Sequence, residues 1–197
     1  MILPLFRRSS QTRTIHALYG AIVAQARSVP FYADYGVPDT VNGRFDLIVL
    51  HLVLLLKRLD RSSETTRGLG KELGQELFDA FCRDLDANLR EMGVGDLAVP
   101  KRMQAFAAAF YGRQAAYLAA LGEADPRAFE KALARNILGS DDGRAASLAA
   151  YARAALAGLD AQDDSALLRG EVVFPDAKAF AVGESDVAES QVTQVAQ

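Results

Sequence analysis

The sequence predicts an all-α protein, a single-domain helical bundle or orthogonal helix array of about six helices. Three observations lead there. Apolar residues return at steps of three and four through every long segment, no long run alternates as a strand would, and Gly or Pro punctuates the joins. At 197 residues, half of them apolar and 24% charged, the chain can build one core without a disulfide or metal staple.

The elements follow in order. Ile15, Leu18, Tyr19, Ile22, Val23 and Ala26 form one helical stripe that must stop before Pro30. Pro30 to Pro38 reads as irregular and aromatic, with Phe31, Tyr32 and Tyr35 close together. A second helix is expected from about Thr40 or Asn42 to Leu59; its middle is apolar on every face, which marks it as the buried central helix. A third covers about Thr65 to Met92, with Leu69, Leu73, Leu77, Phe81, Leu85 and Leu89 at steps of four, and Gly93-Val94-Gly95 ends it. Pro100 opens a fourth, carrying Met103, Phe106, Phe110, Tyr117 and Leu121, with Gly112 as a candidate break. Asp125-Pro126 opens a fifth, with Phe129, Leu133 and Ile137. After the loop Gly139–Gly143, an Ala-rich sixth helix runs from about Arg144 to Leu159. Gly170 to Pro175 reads as a short extended segment packed on the bundle. Residues 1–11 are expected to be an N-terminal extension, 12–175 the domain, and 176–197 a mobile acidic tail, being small and polar.

Charge and composition exclude several function classes. The net charge of -3 argues against a basic nucleic-acid glove, and no specific nucleic acid is expected as partner. The surplus is uneven: residues 1–62 hold eight basic and four acidic side chains, so the first third is the part suited to an anionic surface. Cys82 is the single cysteine, and His16 and His51 are the only histidines, so neither a Cys-rich nor a His-rich metal site is expected, and no cofactor. The longest uncharged apolar run, Leu47 to Leu56, is half the ~20 residues a membrane span needs. The start, Met1 to Arg8, places its apolar run before its arginines, the reverse of a secretory signal, which leads to the expectation of a cytoplasmic prokaryotic protein.

Several constellations invite a chemical reading and mostly lose it. Gly68-Leu69-Gly70-Lys71 resembles a phosphate loop, but no strand precedes it and Glu72 stands where a Ser or Thr would bind magnesium; glycines that let two helices approach are the simpler account. Cys82, beside Phe81, reads as a small buried residue. Glu72, Glu76 and Asp79, with Lys71 and Arg83, read as a solvated face. His51, inside the most apolar helix, is either a hydrogen-bonded core histidine or a haem or substrate contact. Arg44, Lys101 and Arg113 stand beside turn residues that do not need them.

Five segments together resemble the ubiquinol–cytochrome c chaperone family, assembly factors of the cytochrome bc1 complex. They are Phe31-Tyr32 with Tyr35-Gly36-Val37-Pro38-Asp39-Thr40; Gly43-Arg44-Phe45-Asp46-Leu47 with His51; Arg90-Glu91-Met92-Gly93-Val94-Gly95-Asp96; Pro100-Lys101-Arg102-Met103; and Phe110-Tyr111-Gly112-Arg113. The resemblance covers residues 12–175. It implies an all-helical, non-enzymatic domain that binds newly made cytochrome b, and in mitochondrial members a small partner protein and the ribosome. The chain lacks their long N-terminal targeting extension, which fits a bacterial protein at the cytoplasmic face of the inner membrane. A holder of so apolar a client needs an apolar groove with a polar rim. Phe31, Tyr32, Tyr35, Phe110 and Tyr111 are the candidates for the groove, and Arg44, Lys101, Arg102 and Arg113 for the rim, with Asp46 and His51 beside them. The alternatives are a haem- or small-molecule-handling enzyme using His51 and a peripheral membrane adaptor using Met1 to Arg8.

Overall fold

The computed structural model describes residues 3–139 and 143–181, with side chains from residue 11 onward. The long helices are α1 (Leu3–Ala26), α3 (Val41–Asp60), α4 (Arg67–Glu91), α5 (Val99–Gly122) and α7 (Arg144–Asp160); α2 (Val29–Ala33), α6 (Arg127–Leu133) and α8 (Asp164–Leu168) are short. No strand occurs among the described residues. The all-α expectation therefore holds, and α3 is the central helix. Leu47, Val49, Leu50 and Leu52–Leu55 are all buried, and α1, α4, α5 and α7 pack around them.

Local chemistry sets the ends of α3. Thr40 caps it, its hydroxyl oxygen accepting from the Gly43 N–H at 3.1 Å. Gly43 is required by closeness: a Cβ there would stand 2.0 Å from the Pro38 carbonyl oxygen. At the other end, Arg58 is buried and donates to the Leu159 carbonyl, the Gln162 carbonyl and Asp164 at 2.6–2.9 Å. Asp164 also accepts from the Thr66 hydroxyl and the Ser63 N–H, and these contacts, with Arg58, hold its carboxyl well below the usual carboxylate range.

The glycine-rich run in α4 is helical throughout. A Cβ on Gly70 would lie 2.6 Å from the Leu59 carbonyl oxygen, and one on Gly74 would lie 3.3 Å from Leu56, so these glycines let α4 cross α3 closely. Gly93, at φ +78°, ends the helix as expected. Gly112 does not break α5, which runs unbroken from Val99 to Gly122.

The structure departs from expectation in four places. The aromatic segment after Pro30 is partly ordered as α2, which proline at a first-turn position favours. The fifth helix widens into a π-helical turn over Ala134–Leu138, and α8 follows α7 where none was expected, because Asp163 caps it through the Ser165 N–H. Most consequentially, the chain stays docked beyond Pro175. Residues 171–176 are extended, and Gln162 clamps the Val173 backbone, donating to its carbonyl at 2.8 Å and accepting from its N–H at 2.9 Å. Ala177–Phe180 then forms a 3-10 turn whose Ala177 is buried and whose Phe180 packs on Tyr151. Two apolar side chains suffice for this, although composition averaged over an acidic stretch conceals them. The remainder of the expected tail, 182–197, lies outside the described residues, as do 140–142 of the expected loop.

Candidate functional site

Aromatic rings gather in two clusters, and among the described residues no ring contact joins them. The first surrounds His51 with Phe31, Tyr35, Tyr151, Phe174 and Phe180. It is interior: Phe31, Tyr35, His51 and Tyr151 expose nothing. His51 Nδ1–H donates to the Leu47 carbonyl at 2.7 Å, and Nε2 accepts from the Tyr151 hydroxyl at 2.7 Å. Tyr151 in turn accepts from Gln25, and the Tyr35 hydroxyl donates to the Ala177 carbonyl at 2.6 Å. Burial lowers the His51 pKa to about 4, opposed by the Leu47 carbonyl. Both ring nitrogens are used, so neither can ligate haem iron or meet a substrate. His51 is the hydrogen-bonded core histidine.

This corrects part of the expected groove. Phe31 and Tyr35 are structural, held inside by α3, α7 and the 177–180 turn. Tyr32 is half-buried and donates its hydroxyl to the Ala26 carbonyl, bracing α1 against α2. Arg44 is exposed and tied to Asp39 at 2.7 Å, a surface pair of the turn before α3.

The second cluster lies where α4 meets α5. Phe78 and Phe81 of α4 face Phe110 at 4.8 and 5.8 Å between ring centroids, Phe106 stacks on Phe45 at 5.0 Å, and Tyr111 lies 5.8 Å from Phe78. Phe110 is 1% exposed and forms the floor, whereas Tyr111 is 56% exposed on the rim. Two clefts meet at Phe78. One, about 400 Å³, is almost wholly apolar, with Phe81, Cys82 and Leu85 on one wall and Pro100, Met103 and Phe106 on the other. The other, about 460 Å³, adds Leu56 and Leu118 and is edged by Lys57, Lys71 and Arg61. Together they follow α5 from Pro100 to Leu118, ~27 Å at 1.5 Å per residue. Lys101 and Arg102 are exposed beside the apolar end.

Arg113 is not a rim residue. It lies 2.7 Å from Asp46 with its side chain 22% exposed, and its guanidinium carbon sits 5.6 Å from the Phe45 ring centroid. The ions meet off the hydrogen-bonding axis, and Asp46 Oδ1, Arg113 Nε and the Tyr117 hydroxyl are buried without an aligned partner. Burial raises the Asp46 pKa to about 6, with Arg113 opposing it. Asp46 and Arg113 therefore pin α5 to α3 beneath the groove.

Of the eleven candidates, the structure brings Phe110, Tyr111, Lys101 and Arg102 to the α4–α5 seam, places Asp46 and Arg113 under it, and sends Phe31, Tyr32, Tyr35, Arg44 and His51 elsewhere. Phe78, Leu85 and Met103 were missed as site residues. The available signal was a second apolar stripe on α4, Phe78, Cys82 and Leu85, beside the buried Leu73, Leu77 and Phe81; two stripes exceed what one packed face needs.

A further cleft of about 620 Å³ separates α1 from α4; its walls mix Ile15 and Ala80 with polar side chains, of which Tyr19 donates to Asp84 and Glu76 accepts from Gln11. Among the described residues, no group of His, Cys, Asp and Glu is placed to hold a metal, and no helix is long and apolar enough to cross a membrane. The contact expected of Met1 to Arg8 lies outside the described side chains.

Comparison with known proteins identifies relatives of this architecture. The crystal structure of the Cbp3 homolog from Brucella abortus is 40% identical, superposes with a TM-score of 0.77, and the match covers 90% of this chain and 98% of that one. The ubiquinol-cytochrome-c reductase complex assembly factor 1 of Xenopus laevis is 27% identical over 161 residues, 80% of this chain and 78% of that protein. The assembly factor of the same name from Drosophila melanogaster is 29% identical over 80 residues, 41% of this chain and 31% of that protein's length. Residues 33–174 match the ubiquinol-cytochrome C chaperone family, and the chain belongs to it.

Proposed function

We propose that this protein is a non-enzymatic assembly chaperone that binds newly made cytochrome b and promotes biogenesis of the ubiquinol–cytochrome c reductase complex, acting at the cytoplasmic face of a bacterial inner membrane. The observation that carries the reading is the open apolar cleft between α4 and α5, on a chain with relatives in Xenopus laevis and Drosophila melanogaster that are named for assembly of that complex. A client helix that will later span a bilayer is apolar for ~20 residues, ~30 Å; the two clefts together run a similar length, apolar from Pro100 to Ala107 and mixed beyond, where Asp60, Gln75 and Gln114 join the lining. Aromatic and thioether walls accept such a helix without demanding one sequence. The cations at both ends meet the polar residues that flank it.

The test is capture. A tagged chain purified from its own organism should bring cytochrome b with it. Leu85→Asp with Met103→Asp should abolish capture while the melting temperature stays near that of the native chain. Deletion of the gene should lower assembled bc1 complex and spare unrelated respiratory enzymes. Undiminished capture by the folded double variant would move the client elsewhere, and normal bc1 levels in the deletion strain would defeat the assembly role.

A further inference from the structure

The α4–α5 hairpin ends in a tip whose apolar side chains Met92 and Leu97 are left exposed among the described residues. Leu97 is 99% exposed and Met92 64%, the first of these as bare as a side chain can be. Leu89 and Val99 are buried close by, yet both stand outside the main core, so this end of the hairpin is closed by its own apolar pair. Lys101 and Arg102 follow on the first turn of α5, both exposed and neither engaged with an acid among the described residues. Arg90 lies 2.7 Å from Asp86 and 2.5 Å from Asp96, one cation shared by two acids, so with Glu91 the tip is neutral overall and its cations outside any described ion pair, Lys101 and Arg102, stand together on the α5 side.

Bare aliphatic and thioether chains beside two free cations are what an anionic bilayer accepts, the apolar chains entering the acyl boundary and the cations meeting phosphate. A protein partner would be expected to use aromatic anchors, and residues 92–103 contain none. We propose that the α4–α5 tip docks on an anionic lipid surface, with Met92 and Leu97 entering the acyl boundary and Lys101 and Arg102 at the headgroup phosphates. Pro100 and Met103 line the end of the apolar seam next to this tip, so docking turns the mouth of the seam toward the membrane. The inference rests on the proposed work at a membrane but not on the identity of the client.

The experiment uses the full chain and vesicles of phosphatidylcholine with or without phosphatidylglycerol, with no client present. The chain should sediment with the anionic vesicles, and salt should weaken this. Lys101→Ser with Arg102→Ser should lower vesicle affinity about 30-fold, since each cation near such a surface contributes about fivefold. An environment-sensitive fluorophore on Leu97→Cys, in a Cys82→Ser background, should shift to the blue on anionic vesicles and be quenched by brominated acyl chains. The same label on Val29→Cys, 74% exposed and far from this tip in sequence, should not respond. Sedimentation without a response at position 97 would overturn the proposal and assign the contact to another segment. Absence of sedimentation would overturn it as well. Because the vesicles hold no cytochrome b, none of these results bears on capture by the seam.

Discussion

Two buried titrations of opposite sign should make this protein's stability unusually flat in mild acid, and one substitution should remove the balance. His51 is held neutral inside, its pKa falling from 6.5 to about 4. The unfolded chain therefore takes up a proton that the folded chain refuses as pH falls below 6.5, and stability is lost through that window. From pH 6.5 to 4.5 the loss is about 2.5 kcal/mol, two pH units at ~1.36 kcal/mol each with rounding at the upper end. Asp46 works the other way. Its pKa rises from 3.8 to about 6, so the folded chain takes up the proton first and gains stability as pH falls below 6. Over the same range that gain is up to about 2 kcal/mol, and somewhat less because water still reaches part of the carboxyl. The native chain should thus change by only ~1 kcal/mol between pH 6.5 and 4.5. Asp46→Asn keeps the shape, removes the titration and exposes the His51 slope. Urea unfolding at half-unit pH steps should show the variant losing ~2.5 kcal/mol over a range in which the native chain loses ~1. Parallel profiles for the two proteins would refute the reasoning, whatever their offset at neutral pH.

Three further outcomes are expected. Arg113→Ala leaves the Asp46 carboxylate buried and unpaired, which should cost about 3 kcal/mol at pH 7.5 and visibly less at pH 5.5, where the carboxyl neutralises itself; urea unfolding at the two pH values decides it. Tyr151→Phe removes the donor to His51 Nε2 and should cost about 2 kcal/mol, lowering the melting temperature by ~4–8 °C. Truncation after Pro175 removes Phe180, buried Ala177 and the carbonyl that accepts from Tyr35, and should lower the melting temperature by a similar ~4–8 °C, where an undocked tail would leave it unchanged.

The fold was largely legible because its signals are local and redundant. The all-apolar middle of α3, the four-step stripe of α4 and the glycines and prolines at the joins place the ends of α3, α4, α5 and α7 to within one or two residues, whereas α1 begins at Leu3, well before the stripe that starts at Ile15. What escaped was set at long range. The docked turn at 177–180 depends on Tyr35, some 140 residues earlier, presenting a hydroxyl to the Ala177 carbonyl. α8 is fastened by Asp164 to Arg58, Ser63 and Thr66, about 100 residues earlier in the chain. No window of sequence contains such pairs.

The site was half legible for a related reason. An aromatic ring in a sequence serves equally as core or as groove, and only its neighbours decide. Phe31 and Phe110 occupy similar contexts in the chain, yet one is sealed behind Tyr151 and the other floors an open cleft. The four candidate cations divide in the same way: Arg113 neutralises a buried carboxylate, Arg44 clasps Asp39, and Lys101 and Arg102 meet no acid among the described residues. That division has a mechanical meaning. The face of α3 toward α1 and α7 is closed by satisfied hydrogen bonds around His51, which tolerate little movement. The face toward α4 and α5 is closed by rings and by one imperfectly aligned ion pair, with three buried polar atoms lacking aligned partners. Buried polar groups left in that state cost stability and lower the free energy needed to shift α5. If the proposed client enters the seam, α5 should therefore yield before the His51 side does, and amide exchange should be faster in α5 than around His51 in α3.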